Sequence, residues 1–170
     1  MKKRRFFPDY HLASAFELTP DFLQKRGFRG LIWDIDNTLV SPNQPADEKL
    51  VSFIQGLKKE GFACFILSNN HLPRVESFAR ALDCPFLAEA KKPSPRGFLK
   101  AAEVLKKEPE KILVIGDQWI TDFWGARRAG MPFLLVDPLD PANEQPFVRL
   151  KRVLEWPLAA AYARYLAKNS

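Results

Sequence analysis

A chain of 170 residues, 46% hydrophobic and 27% charged, has the composition of one soluble globular domain and excludes both a disordered tail and a disulfide scaffold. No apolar run approaches the roughly 20 residues that a bilayer span needs, and Cys64 and Cys84, too few and too far apart for a zinc or redox motif, read as buried reduced thiols of a cytoplasmic protein. The net charge of +6 sits at the two ends, in Lys2, Lys3, Arg4 and Arg5 and in the basic residues of 146–170, which argues against a nucleic-acid-binding domain and suits an anionic membrane surface.

The basic start resembles the charged region of a secretory leader, but Pro8, Asp9 and His11 interrupt the apolar segment that a leader requires, so none is expected. Residues 1–7 read either as a soluble tail or, through Phe6 and Phe7, as a membrane contact. Thr19 followed by Pro20 predicts a helix cap and first turn, with Gly27 as the stop. Residues 30–33 read as a buried strand. In 46–60, Leu50, Phe53, Ile54 and Leu57 fall at i, i+3, i+4 and i+7, an amphipathic helix that Gly61 ends. The alternation continues with strand 62–67, helix 72–82, a short strand at 86–88, helix 94–107, strand 112–115, helix 120–129 and strand 133–136. Strands apolar throughout predict a doubly wound α/β fold, a parallel sheet covered on both faces. Residues 137–146 form a proline-punctuated linker, and 147–168 read as a helix pair split at Pro157. In its first half Phe147, Leu150, Val153 and Leu154 share an arc opposite Arg149, Lys151 and Arg152, which either packs on the sheet or makes an interfacial basic helix. The chain thus divides into a basic tail with a short helix (1–29), an α/β core (30–137) and a linker with amphipathic helices (138–170).

The residues just past each strand carry the chemistry. Strand one runs into Asp34, Asp36 and Thr38, strand two into Ser68, Asn69 and Asn70, the third into Lys91, Lys92 and Pro93, and the fourth into Gly116, Asp117, Thr121 and Asp122. A parallel sheet gathers all of these on one edge. Carboxylates converging there repel one another unless a cation is present, and an all-oxygen set of hard ligands selects Mg²⁺. Ser68 and a lysine complete a site for a phosphoryl dianion. An aspartate beside the cation can take the phosphoryl group as an acyl phosphate, while a second, two residues on, can protonate the leaving alcohol and later deprotonate water. Taken singly, Ser68 would be a helix cap, Lys92 and His71 solvated residues, and an Asp-x-Asp an acidic turn.

In order and spacing, these motifs resemble the four motifs of the haloacid dehalogenase superfamily of phosphohydrolases. Asp34 to Val40, Ser68 to Asn70, Lys91 to Pro95 and Gly116 to Gln118 are similar to its capless branch IIIA. The Pro8-Asp9 start and the Leu18-Thr19-Pro20 helix opening are similar to the YqeG type, whose eukaryotic relatives are phosphatidylglycerophosphate phosphatases. The resemblance implies Asp34 as nucleophile and Mg²⁺ ligand, Asp36 as acid/base that binds the metal through its carbonyl, and Asp117 as a further ligand with Asp122 next to it. It implies Ser68, Asn69 and Lys92 on the phosphoryl oxygens and Thr38 supporting the turn; Lys92 is preferred to Lys91 because it precedes the proline. The superfamily inserts its caps after the first motif or between the second and third, and here each gap is filled by one helix. A phosphate presented by something large, above all a lipid phosphate at a membrane face, is therefore the expected substrate. Soluble phosphomonoesters, nucleic-acid ends, and a non-catalytic scaffold on the same fold are the alternatives.

Overall fold

The apolar runs become strands of one sheet, and the periodic segments become the helices that cover it. A computed structural model describes residues 6–144 and 146–169, apart from the side chains of 166, 168 and 169, so Lys2 to Arg5 lie outside the described residues. The elements in chain order are β1 (Tyr10–Leu12), α1 (Pro20–Lys25), β2 (Gly30–Trp33), α2 (Glu48–Lys59), β3 (Ala63–Leu67), α3 (Leu72–Ala81), β4 (Phe86–Leu87), α4 (Pro95–Leu105), β5 (Ile112–Gly116), α5 (Trp124–Arg128), β6 (Phe133–Val136) and α6 (Pro146–Asn169). The sheet has six strands in the order β1-β6-β5-β2-β3-β4, and every pair is parallel.

Strand alternation divides the core between the two faces. Leu31 and Trp33 point to the side where Leu23 of α1, Leu50 and Ile54 of α2 and Val75 and Phe78 of α3 pack. Ile32 and Val114 point to the other, against Phe98 of α4, Phe123, Ala126 of α5 and Tyr162 of α6. Thr19 caps α1 by accepting the Phe22 N–H at 3.2 Å, and Asp47 caps α2 by accepting that of Leu50 at 2.8 Å. One helix, α2, separates β2 from β3, and one, α3, separates β3 from β4, so no cap domain is inserted at either place. Both cysteines are free and buried.

Two elements depart from the sequence reading. Tyr10–Leu12, expected as part of a tail, is an edge strand on β6, because Asp9 accepts the Phe133 N–H at 2.8 Å and pairs with Arg127 at 2.8 Å. The helix pair expected after residue 146 is one helix that runs through Pro157. That proline is exposed, and the carbonyl four residues back, which it leaves without a donor, belongs to exposed Val153, where water can replace the missing bond.

Candidate active site

At the carboxyl edge of the sheet, β2 runs into Asp34 and Asp36, β3 into Ser68, Asn69 and Asn70, β5 into Asp117, and the loop after β4 brings in Lys92. Between them lies an open cleft of about 110 Å³, lined by Asp34, Asp36, Ser68, Asn69, Lys92 and Thr121 and, from the C-terminal segment, by Glu144, Val148 and Lys151.

Lys92 occupies its centre. The ammonium donates to Asp34 Oδ1 and to Asp122 Oδ1, each at 2.6 Å, and all three residues are buried. Oxygens of Asp34, Asp117 and Asp122 lie within 4.8 Å of one another. The Thr38 hydroxyl, expected to support its own turn, donates to Asp117 Oδ1 at 3.1 Å. Asp122 also accepts the Gln118 N–H at 3.2 Å. Gly116 permits this approach, since a Cβ there would stand 2.6 Å from Asp122 Cγ.

Asp36 sits at the rim, where its carboxylate accepts from Arg74 Nη2 at 3.0 Å, Asn70 Nδ2 at 2.5 Å and the Asn43 N–H at 3.1 Å. Ser68 is buried in the cleft, and its Oγ accepts the Asn70 N–H at 3.1 Å. Asn69 lines the cleft and also grips the backbone of Lys92. Its Oδ1 accepts the Lys92 N–H at 2.8 Å and its Nδ2 donates to the Lys92 carbonyl at 3.2 Å, so its side chain positions the lysine. Lys91 is exposed and takes no part. His71 also points to solvent, against Glu89, and Trp119 packs on Phe123 and Tyr162 rather than lining the cleft.

The C-terminal helix supplies what the motifs do not contain. Arg152 of α6 reaches the centre, and its Nη2 donates to both Asp117 Oδ2 and Glu144 Oε1. Glu144 in turn accepts from Asn37 Nδ2 at 2.7 Å, tying the loop after β2 to the segment that leads into α6. The arc of Phe147, Leu150, Val153 and Leu154, for which packing on the sheet was one expectation, faces solvent instead, because the buried carboxylates draw the Arg152 side of the helix inward.

Charge shapes the site. Burial, reinforced by Asp122 and Asp117, pushes the Asp34 carboxyl up to about 8 against the opposing pull of Lys92. Burial also pushes Asp117 up to about 6 in spite of Arg152. For Lys92 burial disfavours the charge, but Asp122 and Asp34 outweigh it and keep the ammonium protonated. Four buried carboxylates, Asp34, Asp117, Asp122 and Glu144, thus face two cations, Lys92 and Arg152. A divalent cation there would favour the ionised forms of Asp34 and Asp117, and a donor set made wholly of hard oxygens fits Mg²⁺.

Glu155 gives a test of this buried field. It accepts the Ile120 N–H at 2.8 Å and is pushed up to about 7, first by burial, with Asp117 and Asp122 adding to the effect. An acid whose folded pKa is raised stabilises fully below its ordinary value of 4.5, and that contribution is lost as pH rises through about 7. Glu155→Gln keeps an acceptor for Ile120 and removes the charge. In chelator the variant is expected to melt above the wild type at alkaline pH, with the gain shrinking toward acid pH. Equal melting temperatures across that range, read by differential scanning calorimetry, would contradict the raised pKa.

Residues 43–130 match the family model of haloacid dehalogenase-like hydrolases. The chain is 36% identical to Probable phosphatase YqeG of Bacillus subtilis over 166 residues, which cover 96% of this chain and 95% of that protein. It is 27% identical to Phosphatidylglycerophosphate phosphatase 1, chloroplastic/mitochondrial, of Arabidopsis thaliana over 96% of its own length, and spans 50% of that longer protein. Among solved structures, the fold is similar to the cobalt-bound deoxy-D-mannose-octulosonate 8-phosphate phosphatase of Haemophilus influenzae, with a TM-score of 0.53 at 16% identity over 74% of this chain and 75% of that one. A family match over more than half of the chain, joined to 36% identity along nearly all of it, places the chain in the haloacid dehalogenase family of hydrolases, and its activity is that of a phosphatase.

Proposed function

We propose that this phosphatase works through a phosphoaspartyl intermediate on Asp34, uses Mg²⁺, and acts on a lipid phosphate such as phosphatidylglycerophosphate. The observation that carries the reading is the buried pairing of Lys92 with Asp34 at the floor of an open cleft, with a second aspartate two residues on at its rim. Asp34, Asp117 and Asp122, with the main-chain carbonyl of Asp36, would hold the Mg²⁺. When bound, it supplies positive charge for the phosphoryl oxygens and lowers the raised pKa of Asp34.

The chain's own residues do the rest. Lys92 and the Ser68 hydroxyl orient the phosphoryl oxygens, and an Asp34 oxygen attacks phosphorus. The bond from phosphorus to the ester oxygen breaks, and the Asp36 carboxyl gives its proton to the departing alkoxide. Asp36, now a carboxylate, takes a proton from water as that water attacks the acyl phosphate. Inorganic phosphate leaves, and Asp34 returns to its carboxylate with Asp36 protonated again. Arg74 and Asn70 hold the Asp36 carboxylate in place at the rim.

The lipid part of the reading rests on the Arabidopsis relative, whose name gives phosphatidylglycerophosphate as its substrate. A cleft of about 110 Å³ with an open mouth also receives a phosphoryl head and leaves the alcohol portion outside. The purified protein is expected to release phosphate from p-nitrophenyl phosphate and from phosphatidylglycerophosphate in detergent micelles. Both activities should be lost in EDTA and restored by Mg²⁺. Full activity in chelator would overturn the metal, and turnover of the aryl phosphate alone would overturn the lipid.

A further inference from the structure

A helix that faces water is normally polar on its outer side, but the outer side of α6 is apolar. Leu150, Val153, Leu154 and Trp156 are each between 58% and 72% exposed, and Phe147 extends the patch toward the start of the helix. Exposed patches of this kind mark interaction sites. Among the described residues, the exposed charges on the helix are basic, Arg149 and Arg164. The one acid of α6, Glu155, is turned inward and buried. At the far end the Phe7 ring packs on Tyr162 and Tyr165, at 5.4 and 5.1 Å between centroids, so exposed Phe6 emerges beside the same helix. Four basic residues, Lys2 to Arg5, directly precede it in sequence.

We propose that this outer face of α6 docks on an anionic lipid surface. The apolar side chains enter the headgroup boundary, and Arg149 and Arg164 meet the lipid phosphates. The sign of the charge selects this occupant. A second copy of the chain, packed on the same face, would bring basic residues against basic residues, whereas an anionic bilayer opposes them with its own charge. The placement agrees, because the inner side of the same helical turns lines the cleft with Val148 and Lys151 and reaches Asp117 through Arg152. A chain lying on a bilayer by this face brings the helix that borders the cleft to the lipid surface. The proposal deepens the lipid reading and rests on it for the use made of the docking, while docking itself is measurable without any substrate.

The test uses the full chain and vesicles of phosphatidylglycerol, which carry no phosphomonoester, with phosphatidylcholine vesicles as the neutral control. The wild type is expected to sediment with the anionic vesicles and to shift its tryptophan emission to the blue. Trp33 and Trp119 are buried and Trp124 is half-buried, so the shift should vanish in Trp156→Phe. The triple variant Leu150→Gln, Val153→Gln, Leu154→Gln keeps helix-forming side chains and is expected to bind at least tenfold more weakly. Its turnover of p-nitrophenyl phosphate should be unchanged, which also reports that it folds. Vesicle binding that the triple variant retains, or a wild type that neither binds nor shifts its emission, overturns the proposal. Self-association that the triple variant loses, without vesicle binding, would assign the face to a second copy. Binding as expected with no hydrolysis of phosphatidylglycerophosphate in micelles would leave the docking in place and remove the substrate reading.

Discussion

Asp34→Asn is expected to cut phosphatase turnover by at least a thousandfold while leaving a protein as stable as the wild type, or more so. The substitution keeps the shape of the side chain and removes the charge required for attack on phosphorus, and a thousandfold loss corresponds to about 4 kcal/mol of barrier. Stability should move the other way because of the surroundings of Asp34. Its carboxyl is raised to about 8 by burial and by Asp122 and Asp117, so its contribution to stability is full only below its ordinary value of 3.8 and is lost as pH rises through about 8. In chelator at alkaline pH the asparagine variant should therefore melt no lower than the wild type. Single-turnover assays beside thermal melts make the comparison. Retention of a tenth of wild-type turnover would rule out a covalent intermediate on Asp34.

Lys92→Met should be costly on both counts. Methionine nearly preserves the length of the stem, so the change isolates the ammonium. Without it, Asp34 and Asp122 lose the group that donates to each of them at 2.6 Å in a buried site. Breaking a buried pair from one side typically costs about 3–5 kcal/mol, and a loss in that range is expected near neutral pH without metal. The deficit should shrink as pH falls, because protonated carboxyls no longer need the counter-charge. Activity should drop by about a hundredfold or more through loss of phosphoryl orientation. Lys91 next door offers no rescue, since it is exposed. A variant with wild-type stability at every pH would mean that the lysine is not the counter-ion of the pair.

The sheet and its helices were legible because their signals are local. Leu50, Ile54 and Leu57 repeat at helical spacing and are all buried. The run from Ile112 to Gly116 is apolar throughout because both of its faces are covered. The acidic and basic residues just past the strands could be placed on one edge from topology alone. The residues that escaped detection owe their positions to distant partners. Tyr10–Leu12 contains a histidine and no run of its own, and it is a strand only because β6 offers an open edge. Arg152 sits in a periodic segment whose apolar arc left two orientations open, on the sheet or at an interface. Its direction is decided by Asp117, 35 residues away in sequence, and by Glu144, which itself answers to Asn37 across 107 residues. The grip of Asn69 on the carbonyl and N–H of Lys92 spans 23 residues, and no local pattern announces it. Amphipathic patterns weigh apolar area and are blind to a buried charge that needs a counter-ion.

The tie between α6 and the carboxyl edge of the sheet also bears on how the protein is made. Synthesis proceeds from the amino end, so β2, β3 and β5 and the acids at their ends leave the ribosome before Arg152 does. Until then Asp117 has no guanidinium and Asn37 no Glu144, and the Asp9 edge has to wait for Phe133, 124 residues later. Contacts of such sequence separation are late and slow to close. A nascent chain that has already paired its central strands is therefore held short of a finished candidate site, which closes only as α6 arrives.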